Sequence, residues 1–135
     1  MQLSTVSYFL FEHELDGSWS SQSPEHHQLD GEVLLMFEDT PPVYVSWGNS
    51  RATYCIETRP NSFFSDDLLT RHEVNEHHFW SPLIGKKIEL KHLDELHQVL
   101  MVSSGSEQLF MSSQYNGGEF MGDCVRVSLL APSLV

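Results

Sequence analysis

Four short stretches towards the C-terminal end alternate apolar and polar residues strictly enough to leave few choices of fold. In "KKIELKHLD", Ile88 and Leu90 fall on one face and Lys87, Glu89 and Lys91 on the other, and "HQVLMVSS", "QLFMSSQY" and "EFMGDCVRVSLL" continue the series. A period of two is that of a strand, whose successive side chains point to opposite faces. "SSGSE" separates two of these stretches, and "YNGGEF" carries Asn116-Gly117, the signal of a tight hairpin whose two central residues need positive φ. From Lys86 onward the expectation is therefore a four-strand antiparallel meander.

The preceding half reads the same way, with two interruptions. "LSTVSYFLF" alternates through Val6, Tyr8 and Leu10, and "GEVLLMFED" is a near-continuous apolar run that suits a strand covered on both faces. "PPVYVSW" and "RATYCIET" follow, separated by the turn residues "GNS". The first interruption is a polar stretch from Glu12 to Asp30 with Leu15, Trp19 and Leu29 as its apolar members, read as a long functional loop. The second is "NSFFSDDLLTRHEVNEHH", where Asp66 and Asp67 follow an Asn/Ser start and precede Leu68 and Leu69. Negative charge suits the unpaired N–H groups of a helix start, so a short helix is predicted around residues 65–78, ended by Pro82 and Gly85. The reading is an α+β fold, mainly β, with about eight mostly antiparallel strands and that one helix. The 135 residues, without a repeat or a long linker, are read as a single domain, 1–135, large enough to bury a core without staples.

Charge narrows the partners. Seven Lys and Arg stand against 19 Asp and Glu, a net −12. Residues 1–50 hold eight acids and no Lys or Arg, so this stretch alone supplies −8. Phosphate-bearing partners, nucleic acid and anionic membrane alike, are repelled by such a surface, whereas a basic protein is attracted. The candidate partner-binding residues are Glu12, Glu14, Asp16, Asp30, Glu32, Glu38 and Asp39 as steering charges, with Trp19 as an anchor seconded by Trp47. The N-terminal stretch has no basic residue ahead of its apolar run and no small-residue cleavage site, so a secretory signal is not expected. No apolar run approaches the ~18 residues of a membrane span. A cytoplasmic location is the expectation, with Cys55 and Cys124 reduced and buried in strand-like segments and a disulfide between them as the alternative.

The segment "RHEVNEHHFW", residues 71–80, holds three of the eight histidines. A zinc-protease helix needs His-Glu-x-x-His, so that two imidazoles four residues apart share one ion. Here Glu76 occupies the second histidine position, and His77 lies roughly 140° round an ideal helix from His72. The inverted motif fails by one residue as well, because Glu73 stands where its first histidine belongs. The segment is read as a solvated helix end, with a small metal-dependent hydrolase or metal-binding protein as the alternative. There is no G-x-S-x-G, no phosphate-cradling glycine loop and no C-x-x-C. A Cys55–histidine nucleophile pair and Asp123 as a catalytic acid are weaker alternatives. The expectation is a protein that is not an enzyme, with no cofactor and no metal. A homo-oligomer pairing its strand edges is a third reading.

Several pieces taken together, "PPVYVSWGN", "YCIETRPNSFF", "FWSPLIGKKIEL" with its W-x-x-x-I-G-K spacing, "HQVLMVSS" and "GDCVRVS", resemble small acidic β-rich immunity proteins encoded beside bacterial polymorphic toxins. The resemblance touches residues 41–130 in fragments and transfers no functional residue. It implies a class of work: an antitoxin-type inhibitor that binds and masks a toxin in the cytosol, frequently a basic nuclease.

Overall fold

The computed structural model describes residues 1–21, 26–51, 53–64, 68–114 and 122–132. The Asn116-Gly117 turn and the helix-start residues Asp66 and Asp67 lie outside them. All eight expected strands are present: β1 (Leu3–Leu10), β3 (Glu32–Phe37), β4 (Val43–Gly48), β5 (Cys55–Arg59), β7 (Glu89–His92), β8 (Val99–Ser104), β9 (Glu107–Ser112) and β10 (Val125–Ser128). Two more, β2 (His26–Leu29) and β6 (Thr70–Glu73), fall where a loop and a helix were expected. The strands form two antiparallel five-stranded sheets, in the orders β5-β4-β3-β1-β6 and β2-β10-β9-β8-β7. The second contains the C-terminal meander, with β7, β8, β9 and β10 as successive neighbours.

The helix around residues 65–78 is a correction. Residues 70–73 are instead an edge strand, with Ser7 opposite Glu73 and Leu10 opposite Thr70. The open side of β1 offers a row of backbone partners to any segment laid beside it, and that tertiary pairing overrides weak helix-start signals. Helical-type turns do occur, but later: Ser81 N–H donates to His77 O at 2.8 Å and Ile84 N–H to Trp80 O at 3.2 Å. Among the described residues, helix is limited to the 3-10 turn Glu12–Glu14 and the four-residue α1, Ser18–Ser21.

Alternation explains the core. Val6, Tyr8 and Leu10 of β1, Val33 and Leu35 of β3, Leu100 and Val102 of β8, Leu109 and Met111 of β9, and Val125 and Val127 of β10 all face one shared apolar interior. Trp80 and Phe79 from the turn segment complete it, both almost wholly buried. At one seam between the sheets Ile56 N–H donates to His97 O at 2.7 Å and His92 Nε2–H to Ile56 O at 2.9 Å. At the other, side chains of β1 meet those of β2.

The outer face of the first sheet is covered by the chain itself. The connection from β5 to β6 joins strands on opposite edges of that sheet, so it must cross all of it. Ser62 Oγ–H and Phe63 N–H both donate to the Glu32 carboxylate, at 2.6 and 3.2 Å, and Phe64 packs edge-on against Phe11. Arg59 lies over the Phe63 ring, 4.2 Å from its centre. Gly31 has to be glycine beneath this crossing, since an added Cβ would collide with the carbonyl of Phe9.

Candidate functional site

A cleft of about 420 Å³ runs beside β6, an edge strand among the described residues, walled by Trp19 and the run from His72 to His77. Local bonding shapes it. Val74 is buried and donates its N–H to Val6 O at 2.9 Å, and the Asn75 side chain turns back to accept the Val6 N–H at 2.7 Å, ending the ladder. Trp19, carried on α1, is held half-buried by three rings: Tyr8 edge-on at 5.4 Å, His27 at 4.9 Å and His72 at 5.2 Å. The histidine-rich segment is thus a cleft wall, and its imidazoles separate. His72 lies against Trp19, while His77 turns inward.

Behind the cleft runs a chain of buried hydrogen bonds whose directions follow from its two ends. Phe79 N–H can only donate, and it donates to His77 Nδ1 at 3.2 Å. The His77 proton is therefore on Nε2, which faces His27 Nε2 at 3.0 Å and donates to it. That places the His27 proton on Nδ1, donating to the Tyr8 hydroxyl oxygen at 2.8 Å. The same oxygen accepts the Trp80 indole N–H at 2.8 Å. Both imidazoles must be neutral for this chain to exist. Burial, aided by His77, His78 and His26, pulls the His27 pKa down to about 3, and burial with His78 lowers that of His77. Burial pushes the Tyr8 phenol upward, so it too stays protonated.

The eight expected partner-binding residues divide into three groups. Glu14 and Glu32 are interior residues, only 4% and 1% exposed, and cannot meet a partner directly. Glu14 accepts the N–H groups of Phe11 and Asp30 at 3.0 and 2.8 Å, tying the end of β1 to the turn after β2, and burial raises its pKa. Glu32 anchors the β5–β6 crossing. The second group, Glu12, Asp16, Trp19 and Asp30, follows the Leu10 end of β1 and the end of β2, and of these Trp19 lines the cleft. Asp16 accepts the Ser18 N–H at 2.9 Å, which lowers its pKa, and Asp30 accepts from His13 Nε2 at 2.9 Å, which raises that of His13. The third, exposed Glu38 and Asp39, sits at the opposite end, where Asp39 accepts the Gln2 N–H at 2.8 Å. Eight extended residues of β1 separate the two ends by about 24 Å.

Other chemistry-bearing groups are already engaged. Among the described residues, the one set of three side chains that brings ligand atoms within 4.8 Å of one another is His13, Glu14 and Asp30. Both Glu14 oxygens there hold backbone N–H groups, and His13 is bonded to Asp30. Cys55 does share a cavity of about 240 Å³ with His92 and His97. Its thiol is buried, and the His92 Nε2 is committed to the Ile56 carbonyl. Cys55, in β5, and Cys124, just ahead of β10, are both free, and the Cys124 thiol is pushed up to about 12 by burial. Among the described residues, no helix is long and apolar enough to cross a membrane.

Sequence reasoning selected Trp19 but missed Tyr8, His27 and Trp80 behind it. The available clue was Asp30-Gly31, a turn pair that marks the end of a strand at "HHQL". Comparison with protein-family models, with curated proteins and with solved structures yields no match.

Proposed function

We propose that this chain is a non-enzymatic binding protein of the immunity type, acting in the cytoplasm, that masks a basic protein partner such as a nuclease toxin. One observation carries the reading: the segment that bears exposed Glu12 and Asp16 runs on to a half-buried indole, Trp19, which walls a cleft whose lining includes Glu73 and Glu76 and no Lys or Arg. The division of labour among the acids follows from their placement. Glu12, Asp16 and Asp30 belong to the docking end. Glu38 and Asp39, at the far end, add to the long-range field that draws a cation in, and Glu14 and Glu32 act indirectly by holding the scaffold. Trp19 supplies the apolar anchor, since a large ring that is already part-buried loses little freedom on binding.

Rapid-mixing measurements with the partner, the product of the adjacent gene or a protein recovered by affinity capture, test this. The association rate is expected to fall about tenfold between low and high salt, because steering is screened beyond about 8 Å at physiological ionic strength. A rate unmoved by salt would remove the steering mechanism.

A further inference from the structure

The Trp19 cleft lies beside a strand edge whose backbone groups point outward, and their order can be worked out. Val74 N–H is bonded to Val6 O, which makes that pair a hydrogen-bonded one in the antiparallel ladder. Hydrogen-bonded and open pairs alternate, so His72 and Thr70 also turn their backbone groups to β1, opposite Tyr8 and Leu10. Arg71 and Glu73 consequently direct their N–H and C=O groups away from the sheet, along the cleft. All four residues of β6 are exposed.

The charge beside this edge has one sign. Glu73 and Glu76 are exposed members of the cleft wall. Arg71, the base nearest in sequence, is turned to the other face of the sheet, where its Nε–H donates to Ser7 Oγ at 3.0 Å and its guanidinium reaches the Met36 sulfur at 3.5 Å; the Glu73 side chain, two residues on and opposite Ser7, shares that face, so Glu76 is the carboxylate left to the indole side. His77, the imidazole deepest in the wall, is kept neutral by its place in the buried chain. An indole, the Glu76 carboxylate and a neutral floor together suit a guanidinium or ammonium group on an aliphatic stem, held by the ring face and the flanking charge.

We infer that β6 is the docking edge for an extended basic segment of the protein partner, which pairs with the outward backbone groups of Arg71 and Glu73 and lays an arginine or lysine side chain into the Trp19 cleft. Strand addition supplies affinity through main-chain bonds, and the pocket beside it supplies the choice of side chain. A second copy of this chain is the poorer occupant, because it would bring further carboxylates to an acidic wall. This inference rests on the basic-partner reading and assigns it a place.

The test uses the full 135-residue chain, labelled with ¹⁵N, titrated with the peptide acetyl-Thr-Arg-Val-Arg-Thr-amide and with the same peptide carrying citrulline, the uncharged isostere, in place of arginine. The expected result is saturable shifts at the Trp19 indole N–H and at the amides of residues 71–77, with slowed hydrogen exchange at Arg71 and Glu73. Binding should be about twofold weaker for Glu76→Gln, as one exposed charge pair would give, and weaker still for the citrulline peptide. Equal binding of the citrulline peptide, or shifts confined to the surroundings of Glu12 or Glu38, would overturn the cleft assignment while leaving the basic-partner reading intact. Concentration-dependent shifts at residues 70–73 without peptide would give the edge to a second copy and overturn it as well. The salt dependence of association with the whole partner, by contrast, decides the broader reading alone.

Discussion

At the seam where β1 and β6 meet β2, His27 and His77 stand edge to face, their ring centres 4.2 Å apart and their planes at 72°. At the seam where β5 meets the β7–β8 turn, His92 and His97 lie flat on one another, 3.8 Å apart and 6° from parallel. Each pair helps to join the two sheets, yet by different chemistry. The first is a buried relay in which every imidazole must donate from one nitrogen and accept at the other, so only the neutral forms fit. The second hangs on an imidazole N–H given to the Ile56 carbonyl, with the His97 ring stacked flat on its donor. One residue type thus joins the sheets in two ways, and what separates them is which nitrogens are engaged and how deeply; at the second seam burial and the adjacent His92 lower the His97 pKa.

The sharpest way to break the first seam is Tyr8→Phe. It deletes the oxygen that accepts from both Trp80 Nε1 and His27 Nδ1 and leaves two buried donors without a partner. The expected loss is about 2–4 kcal/mol in urea unfolding, and a loss below about 1 kcal/mol would mean that the relay does not hold the seam. Acid is the next lever. Unfolded His27 takes a proton near the ordinary pH of about 6.5, whereas the folded residue resists until about 3. The stability it contributes is therefore complete above pH about 6.5 and declines as the pH falls through that window, by about 1.4 kcal/mol per unit. Between pH 6.5 and 5 the loss should be about 2 kcal/mol, His77 adding to it with the same sign, and His27→Gln should flatten the slope. A parent protein equally stable at both pH values would show that the seam tolerates charge. The smallest effect belongs to the other seam: His92→Ala, which removes the donor to the Ile56 carbonyl, should cost about 1 kcal/mol in the same urea unfolding.

The same contrast explains what was legible in the sequence. Most of the eight strands announced themselves because burial of one face writes a period of two into the residues, and β3, covered on both faces, did so as a continuous apolar run. Strand β6 carries no such signal, since all four of its residues are exposed and its position is decided by the open side of β1, which lies more than sixty residues earlier. Strand β2 hides in a polar stretch for a related reason: its buried His26 and His27 are polar residues whose partners come from elsewhere in the chain. For the candidate site, Trp19, Glu12, Asp16 and Asp30 were readable as an acidic stretch around a large ring. The inward roles of Glu14 and Glu32 were not, because a carboxylate that holds backbone N–H groups looks the same in sequence as one that meets solvent. The two halves of the cleft, at Trp19 and at residues 72–77, are joined only by tertiary pairing.

The crossing from β5 to β6 acts as a tether of set length. It must bridge four inter-strand steps, about 19 Å, and about 10 Å along the strands, because the register sets Arg59 level with Glu73 and not with Thr70; the residues between Arg59 and Thr70 can reach at most about 35 Å when fully extended. Lengthening it costs little, but removing roughly four residues would draw it taut, lift the edge strand off its neighbour and take one wall of the cleft with it. Whether a cavity exists beside the indole at all is thus decided by a measure of chain on the far side of the sheet.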